Sequence, residues 1–199
     1  MNLEDIVVDQ RSSTISLVNS MISFKIFKFL QNDLKAVMEV LTLEQIKFYS
    51  YKVLEALEYS HSKGIMHRDI KPGNITIDLA QKELRVIDWG LAEFYHPYKE
   101  YNCRVSTRPM KGPELLLNYG FYDYSLDMWC FGMMLGALIF KRNFLIHSKD
   151  DDEQLIRMTS LFGKERLMSY CEKYKLSPNR EVQIGLKTLF FSNIELEQH

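Results

Sequence analysis

His67-Arg68-Asp69-Ile70-Lys71-Pro72-Gly73-Asn74 is the stretch whose reading decides the fold. It sets a carboxylate, a cation and a neutral amide close together, with Pro72-Gly73 forcing a turn between the cation and the amide. Asp88-Trp89-Gly90 follows, and then Gly112-Pro113-Glu114. Between the first two motifs, Ile75 to Ile77 and Leu84 to Ile87 read as two short strands flanking a turn. Such a hairpin folds Asn74 and Asp88 back towards one site. Amide and carboxylate oxygens are hard ligands of the kind Mg²⁺ prefers, and Asp69 beside them is a candidate proton acceptor. Either tripeptide alone is weak, because short motifs recur by chance. The octapeptide with two ordered motifs downstream is strong.

In order and separation the three motifs resemble the catalytic loop, metal-binding turn and activation-segment anchor of protein kinases. Trp89 narrows the resemblance to the casein kinase II alpha (catalytic) subunit. The run Val86-Ile87-Asp88-Trp89-Gly90-Leu91-Ala92-Glu93-Phe94-Tyr95-His96-Pro97 is very similar to that family, as are Lys111-Gly112-Pro113-Glu114-Leu115-Leu116 and Tyr122-Asp123-Tyr124-Ser125-Leu126-Asp127-Met128-Trp129. The similarity is dense from Leu41 to Tyr174, thinner over Leu3 to Val18, and loose between Asn19 and Val40 and after Lys175.

The resemblance implies an α+β, protein kinase-like fold, mainly the helical large lobe with a reduced β remnant of the small lobe. It implies a Ser/Thr kinase that transfers the γ-phosphate of ATP, with GTP as a second donor, to Ser/Thr in acidic contexts. Asp69 would accept the proton of the incoming hydroxyl and Lys71 would meet γ-phosphate oxygens. Asn74 would ligate one Mg²⁺ and Asp88 would bridge both ions, so nucleotide and metal rest on those two residues. Arg104, Arg108 and Lys111 stand where the family recognises acidic side chains of the substrate, with Pro109 and Met110 replacing an aromatic pair between them. Asp127 would brace the catalytic-loop backbone. Glu114 would pair with an arginine between the last helices, but Arg157, Arg166 and Arg180 occur in no matching context. A buried carboxylate with a shifted pKa and a marginally stable monomer are therefore expected. The implied partners are acidic protein substrates and a regulatory beta subunit, docked through the hairpin near Ile6 to Val18. The implied location is nucleus and cytoplasm.

With 199 residues, a net charge of −1 and 46% hydrophobic residues, the chain is long enough to bury one core, and its charge balance argues against general nucleic-acid binding. Cys103, Cys130 and Cys171 are odd in number and share no metal-ligand spacing, which favours free thiols. Met1-Asn2-Leu3-Glu4-Asp5 is acidic where a secretory leader is basic. The apolar run Trp129 to Phe140 is too short for a membrane span.

Ile6 to Val8 and Thr14 to Val18, split by Asp9 to Ser13, predict a hairpin, and Ile22 to Leu30 a strand entering a hinge. Thr42-Leu43-Glu44-Gln45 is a capping-box pattern opening a helix that buries Ile46, Tyr49, Val53, Leu54 and Leu57, with Gly64 suited to its stop. Leu126 to Phe140 predicts a buried central helix, and Asp152 to Phe162 and Lys164 to Tyr174 predict amphipathic ones. His61, at a helix end, reads as structural. Tyr95, Tyr98 and Tyr101 read as packing residues.

The first glycine in the chain is Gly64. A phosphate-cradling loop needs backbone amides free of side chains, and nothing upstream offers one. Lys25 lies too close to Asp69 to serve as the kinase strand lysine, so Lys25 and Lys28 read as surface or hinge residues. Residues 1–30 are thus expected to be a remnant of the small lobe and hinge, and 31–199 the large lobe without its final helices. Two functions stay open: an active kinase with a reduced small lobe, and a non-catalytic relative or fragment that binds a partner. An incomplete gene model is a third possibility.

Overall fold

The structure is a computed structural model that describes residues 5–8, 15–18 and 38–196. Strand β1 (Asp5–Val8) pairs antiparallel with β2 (Ile15–Val18), Asp5 facing Val18 and Val8 facing Ile15, the hairpin expected from two β-branched runs. The expected turn at 9–13, the Ile22 to Leu30 strand, and Lys25 and Lys28 lie outside the described residues.

Helix α1 (Leu43–Ser62) begins at the capping box: Gln45 N donates to Thr42 Oγ1 at 3.2 Å and Thr42 N donates to Gln45 Oε1 at 2.9 Å. Two otherwise unpaired donors are satisfied reciprocally, which fixes where the helix starts. Ile46, Tyr49, Val53 and Leu57, spaced three and four apart, form its buried stripe. Gly64, at φ +77°, takes the left-handed turn that ends it.

The short strand β3 (Ile65–Met66) pairs with β6 (Glu93–Phe94), while β4 (Ile75–Asp78) and β5 (Glu83–Val86) form a separate antiparallel hairpin, Ile75 opposite Val86. A single turn α2 (Pro113–Leu116) precedes α3 (Ser125–Ile139), whose Leu126, Cys130 and Ala137 are wholly buried. Helices α4 (Asp151–Phe162) and α5 (Lys164–Tyr174) follow, within a residue of their expected bounds.

One more helix, α6 (Arg180–Leu196), forms where the sequence reading assigned no element. Asn179 Oδ1 accepts from Val182 N at 2.9 Å, an N-terminal cap, and Val182 and Leu186 bury one face against α4. Gly185 permits the approach, since a Cβ there would collide with Ile156 of α4. The core is one cluster of side chains from all six described helices, the short strands β4 and β5 and the segment between β6 and α3. None of the described helices is long and apolar enough to cross a membrane.

Candidate active site

The loop after β3 is held from below by α3. Asp127, wholly buried, accepts from His67 N at 2.8 Å, Arg68 N at 2.7 Å and His61 Nε2 at 2.8 Å. These bonds let Arg68 keep φ +66°, a left-handed conformation rare for a side chain of its size. The Arg68 guanidinium is itself used, donating to Leu91 O at 2.6 Å and to the Tyr122 hydroxyl at 3.2 Å. His61 and Asp127 thus do the structural work read from their positions.

His67 fixes the other side. Its Nδ1 accepts from Asp69 N at 3.2 Å, so Nε2 carries the proton and donates to Ile87 O at 3.1 Å. Burial pushes its pKa down, against the opposing pull of Asp127, Asp69 and Asp88, and keeps the ring in this neutral tautomer. One imidazole therefore ties the loop bearing Asp69 to the strand leading to Asp88.

Asp69 is almost fully buried, yet three donors satisfy its carboxylate: Lys71 Nζ at 2.6 Å and Asn74 Nδ2 at 3.0 Å on Oδ2, and Thr107 Oγ1 at 3.0 Å on Oδ1. Lys71 Nζ also donates to Thr107 Oγ1 at 3.0 Å. Asn74 Nδ2 donates as well to Asp69 O at 2.8 Å, which turns the amide oxygen away from the loop. A carboxylate offers about four lone-pair positions. One is left on Asp69 for an incoming hydroxyl.

The β4–β5 hairpin sets the backbone of Asn74 beside that of Ile87. Ile87 N donates to Asn74 O at 2.9 Å, one rung beyond Ile75 and Val86, and Asp88 follows directly. Asp88 is exposed, and among the described residues no hydrogen-bond donor holds its carboxylate. The left-handed backbone here belongs to Asp88, at φ +59°, and not to Gly90. Gly90 supplies space instead: a Cβ would sit 3.3 Å from Asp88 Oδ1. The described residues hold no cluster of three or more His, Cys, Asp or Glu side chains suited to a metal. An amide and one carboxylate fit Mg²⁺ in the way Mg²⁺ is usually held beside a nucleotide, with phosphates and water completing its shell.

The three substrate-reading candidates divide. Arg108 Nε and Lys111 Nζ both reach Asp151, at 3.2 Å on Oδ1 and 2.6 Å on Oδ2. Arg104 does not join them and is exposed. Met110 points inward and is buried, and Gln154 of α4 donates to Pro109 O at 3.4 Å, so this turn is pinned to α4.

Tyr101 is buried, its hydroxyl accepting from His96 N at 2.6 Å and donating to Phe94 O at 3.0 Å, while the Tyr122 hydroxyl donates to Asn102 O at 2.8 Å. Tyr95 packs on Tyr124 with centroids 4.9 Å apart. Tyr98 is 97% exposed, which corrects its reading as a packing residue. Glu114 is buried, folded back against Gly112, and burial, more than the neighbouring Asp123 charge, pushes its carboxyl up to about 7. Among the described residues no cation offsets that burial.

Thr107, Tyr122 and Asp151 are the site residues that sequence reading missed. Thr107 and Tyr122 carry no local signal. Asp151 lies in an acidic run, Asp150-Asp151-Asp152-Glu153, that opens a helix and reads locally as a helix start. The model of the protein kinase domain family matches residues 2–196. With a braced loop presenting a buried carboxylate beside a lysine and an amide, over nearly the whole chain, the protein belongs to the protein kinase domain family.

Proposed function

We propose that the chain is a Ser/Thr protein kinase of casein kinase II alpha type, transferring the γ-phosphate of ATP to Ser or Thr in acidic contexts. The observation that carries this reading is the Asp69 carboxylate, fixed by Lys71, Asn74 and Thr107 with one acceptor position open. A serine hydroxyl entering there would be oriented by Oδ and would give up its proton late, as the phosphoryl group arrives. Lys71, exposed enough to swing, would exchange part of its contact with Asp69 for a phosphate oxygen. Mg²⁺ held by Asn74 Oδ1 and Asp88 would neutralise charge on the phosphates. The Thr107 hydroxyl would keep Asp69 and Lys71 in register during the exchange.

The location in nucleus and cytoplasm, the beta subunit docked on the β1–β2 hairpin, and the division at residue 30 into small-lobe remnant and large lobe belong to the same reading. The resemblance supports them. A second reading, a non-catalytic binding protein, is favoured by one observation: no glycine precedes Gly64, so these 199 residues offer no glycine-rich phosphate loop ahead of Asp69.

Phosphate transfer from ATP–Mg²⁺ to an acidic serine peptide decides between them. Transfer by the wild type that falls about 10²–10⁴-fold in Asp69→Asn, the range for loss of a general base, supports the kinase. Peptide binding with no transfer by either protein supports the second reading.

A further inference from the structure

Arg108 and Lys111 flank the turn Arg108–Met110 and converge on one acceptor. Asp151, the first residue of α4, gives Oδ1 to Arg108 Nε at 3.2 Å and Oδ2 to Lys111 Nζ at 2.6 Å. Arg108 Nη1 is further engaged by Lys149 O at 2.7 Å and Ser148 O at 3.5 Å. The Asp151 side chain is not loosely tethered. It stands on a helix turn capped by Asp150 Oδ1, which accepts from Glu153 N at 2.8 Å, and a helix N-terminus favours a negative charge.

The site is nonetheless open to exchange: the Arg108 and Asp151 side chains are 44% and 42% exposed. Lys111, at 14%, is the more buried cation and depends more on a counter-ion. Asp152, the next residue, faces elsewhere, with both carboxylate oxygens 2.8 Å from Asn179 Nδ2.

We infer that Asp151 is a specificity-determining residue: its carboxylate occupies the anion position made by Arg108 and Lys111, and a substrate's acidic side chain must displace it to bind there. This rests on the proposed reading of the chain as acting on acidic protein substrates. A group held within the same molecule acts at a high effective concentration, so a peptide carboxylate competes at a disadvantage. Arg104, exposed and without an ion-pair partner among the described residues, carries no such handicap. The chain therefore reads acid chiefly through Arg104, and a run of acidic residues gains it little more than one.

The test is binding without nucleotide, followed by fluorescence anisotropy with two labelled serine peptides, one with a single glutamate after the serine and one with a run of glutamates. In the wild type the two bind within a small factor of each other. Asp151→Asn tightens the glutamate-run peptide about three- to tenfold, the worth of one or two exposed ion pairs, and leaves the single-glutamate peptide nearly unchanged. Asp152→Asn removes the same charge from the same helix turn, without touching Arg108 or Lys111, and should behave as wild type.

Equal affinities in wild type and Asp151→Asn overturn the inference. So does an equal gain in Asp152→Asn, which would make the effect one of net charge, and so does a failure of the run peptide to bind any of the three proteins. Because no phosphate is transferred, a chain that binds in the expected order yet never phosphorylates a peptide defeats the kinase proposal and leaves this inference standing.

Discussion

Two buried carboxylates, one under each end of the segment from Arg68 to Glu114, meet opposite fates. Asp127 is wholly buried and accepts three hydrogen bonds, two of them from the backbone of the loop it supports. Glu114 is nearly as buried, yet its carboxyl is pushed up to about 7 with no cation beside it among the described residues. A charge taken out of water is tolerated where donors replace the water, and otherwise the group holds its proton. Burial therefore marks Asp127 as a brace and Glu114 as a point of stored cost.

The largest effect expected follows from the brace. Asp127→Ala leaves His67 N and Arg68 N buried without an acceptor and removes what keeps Arg68 left-handed. A loss of about 3–5 kcal/mol in unfolding free energy is expected, enough to unfold a domain of marginal stability. Urea denaturation measures it, and a loss below about 1 kcal/mol would show that the loop does not depend on this carboxylate.

Glu114 gives the next effect, with the opposite sign. Its folded pKa of about 7 stands above the ordinary value of 4.5. The stability it contributes is complete below 4.5 and is lost as pH rises through 7, by about 3 kcal/mol in all. Glu114→Gln cannot ionise. Its stability relative to wild type should therefore rise by about that amount between pH 5 and pH 8, while the titration of buried His67 affects both proteins alike. A difference that stays flat over that range would mean that a counter-charge reaches Glu114.

Sequence reading located these features unevenly, and the reason is separation along the chain. The Thr42–Gln45 box, the β4–β5 hairpin and the apolar length of α3 are written in neighbouring residues, and they appear where expected. The α6 start is also locally written, in Asn179 ahead of Val182 and Leu186, although no element is expected there. Thr107 meets Asp69 across 38 positions, Tyr122 meets Arg68 across 54, and Asp151 meets Lys111 across 40, so no local pattern could announce them. Motif order supplied the loop that bears the candidate proton acceptor. Only folding showed which distant hydroxyl reaches Asp69 and which internal acid pairs with Arg108 and Lys111.

Asp88 sharpens the comparison from the side of water and should show the smallest change in intrinsic stability. It is exposed, unpinned among the described residues, and left-handed at φ +59°. Asparagine tolerates that backbone as well as aspartate does, so Asp88→Asn should alter the nucleotide-free melting free energy by less than about 0.5 kcal/mol. The same change removes the only carboxylate proposed to touch Mg²⁺. Thermal melts with and without ATP–Mg²⁺ separate the two consequences: an upward shift in wild type, absent in Asp88→Asn, places the ion on this side chain. Equal shifts in both proteins would move the ion elsewhere. A large loss of nucleotide-free stability would instead show that Asp88, like Asp127, is a brace.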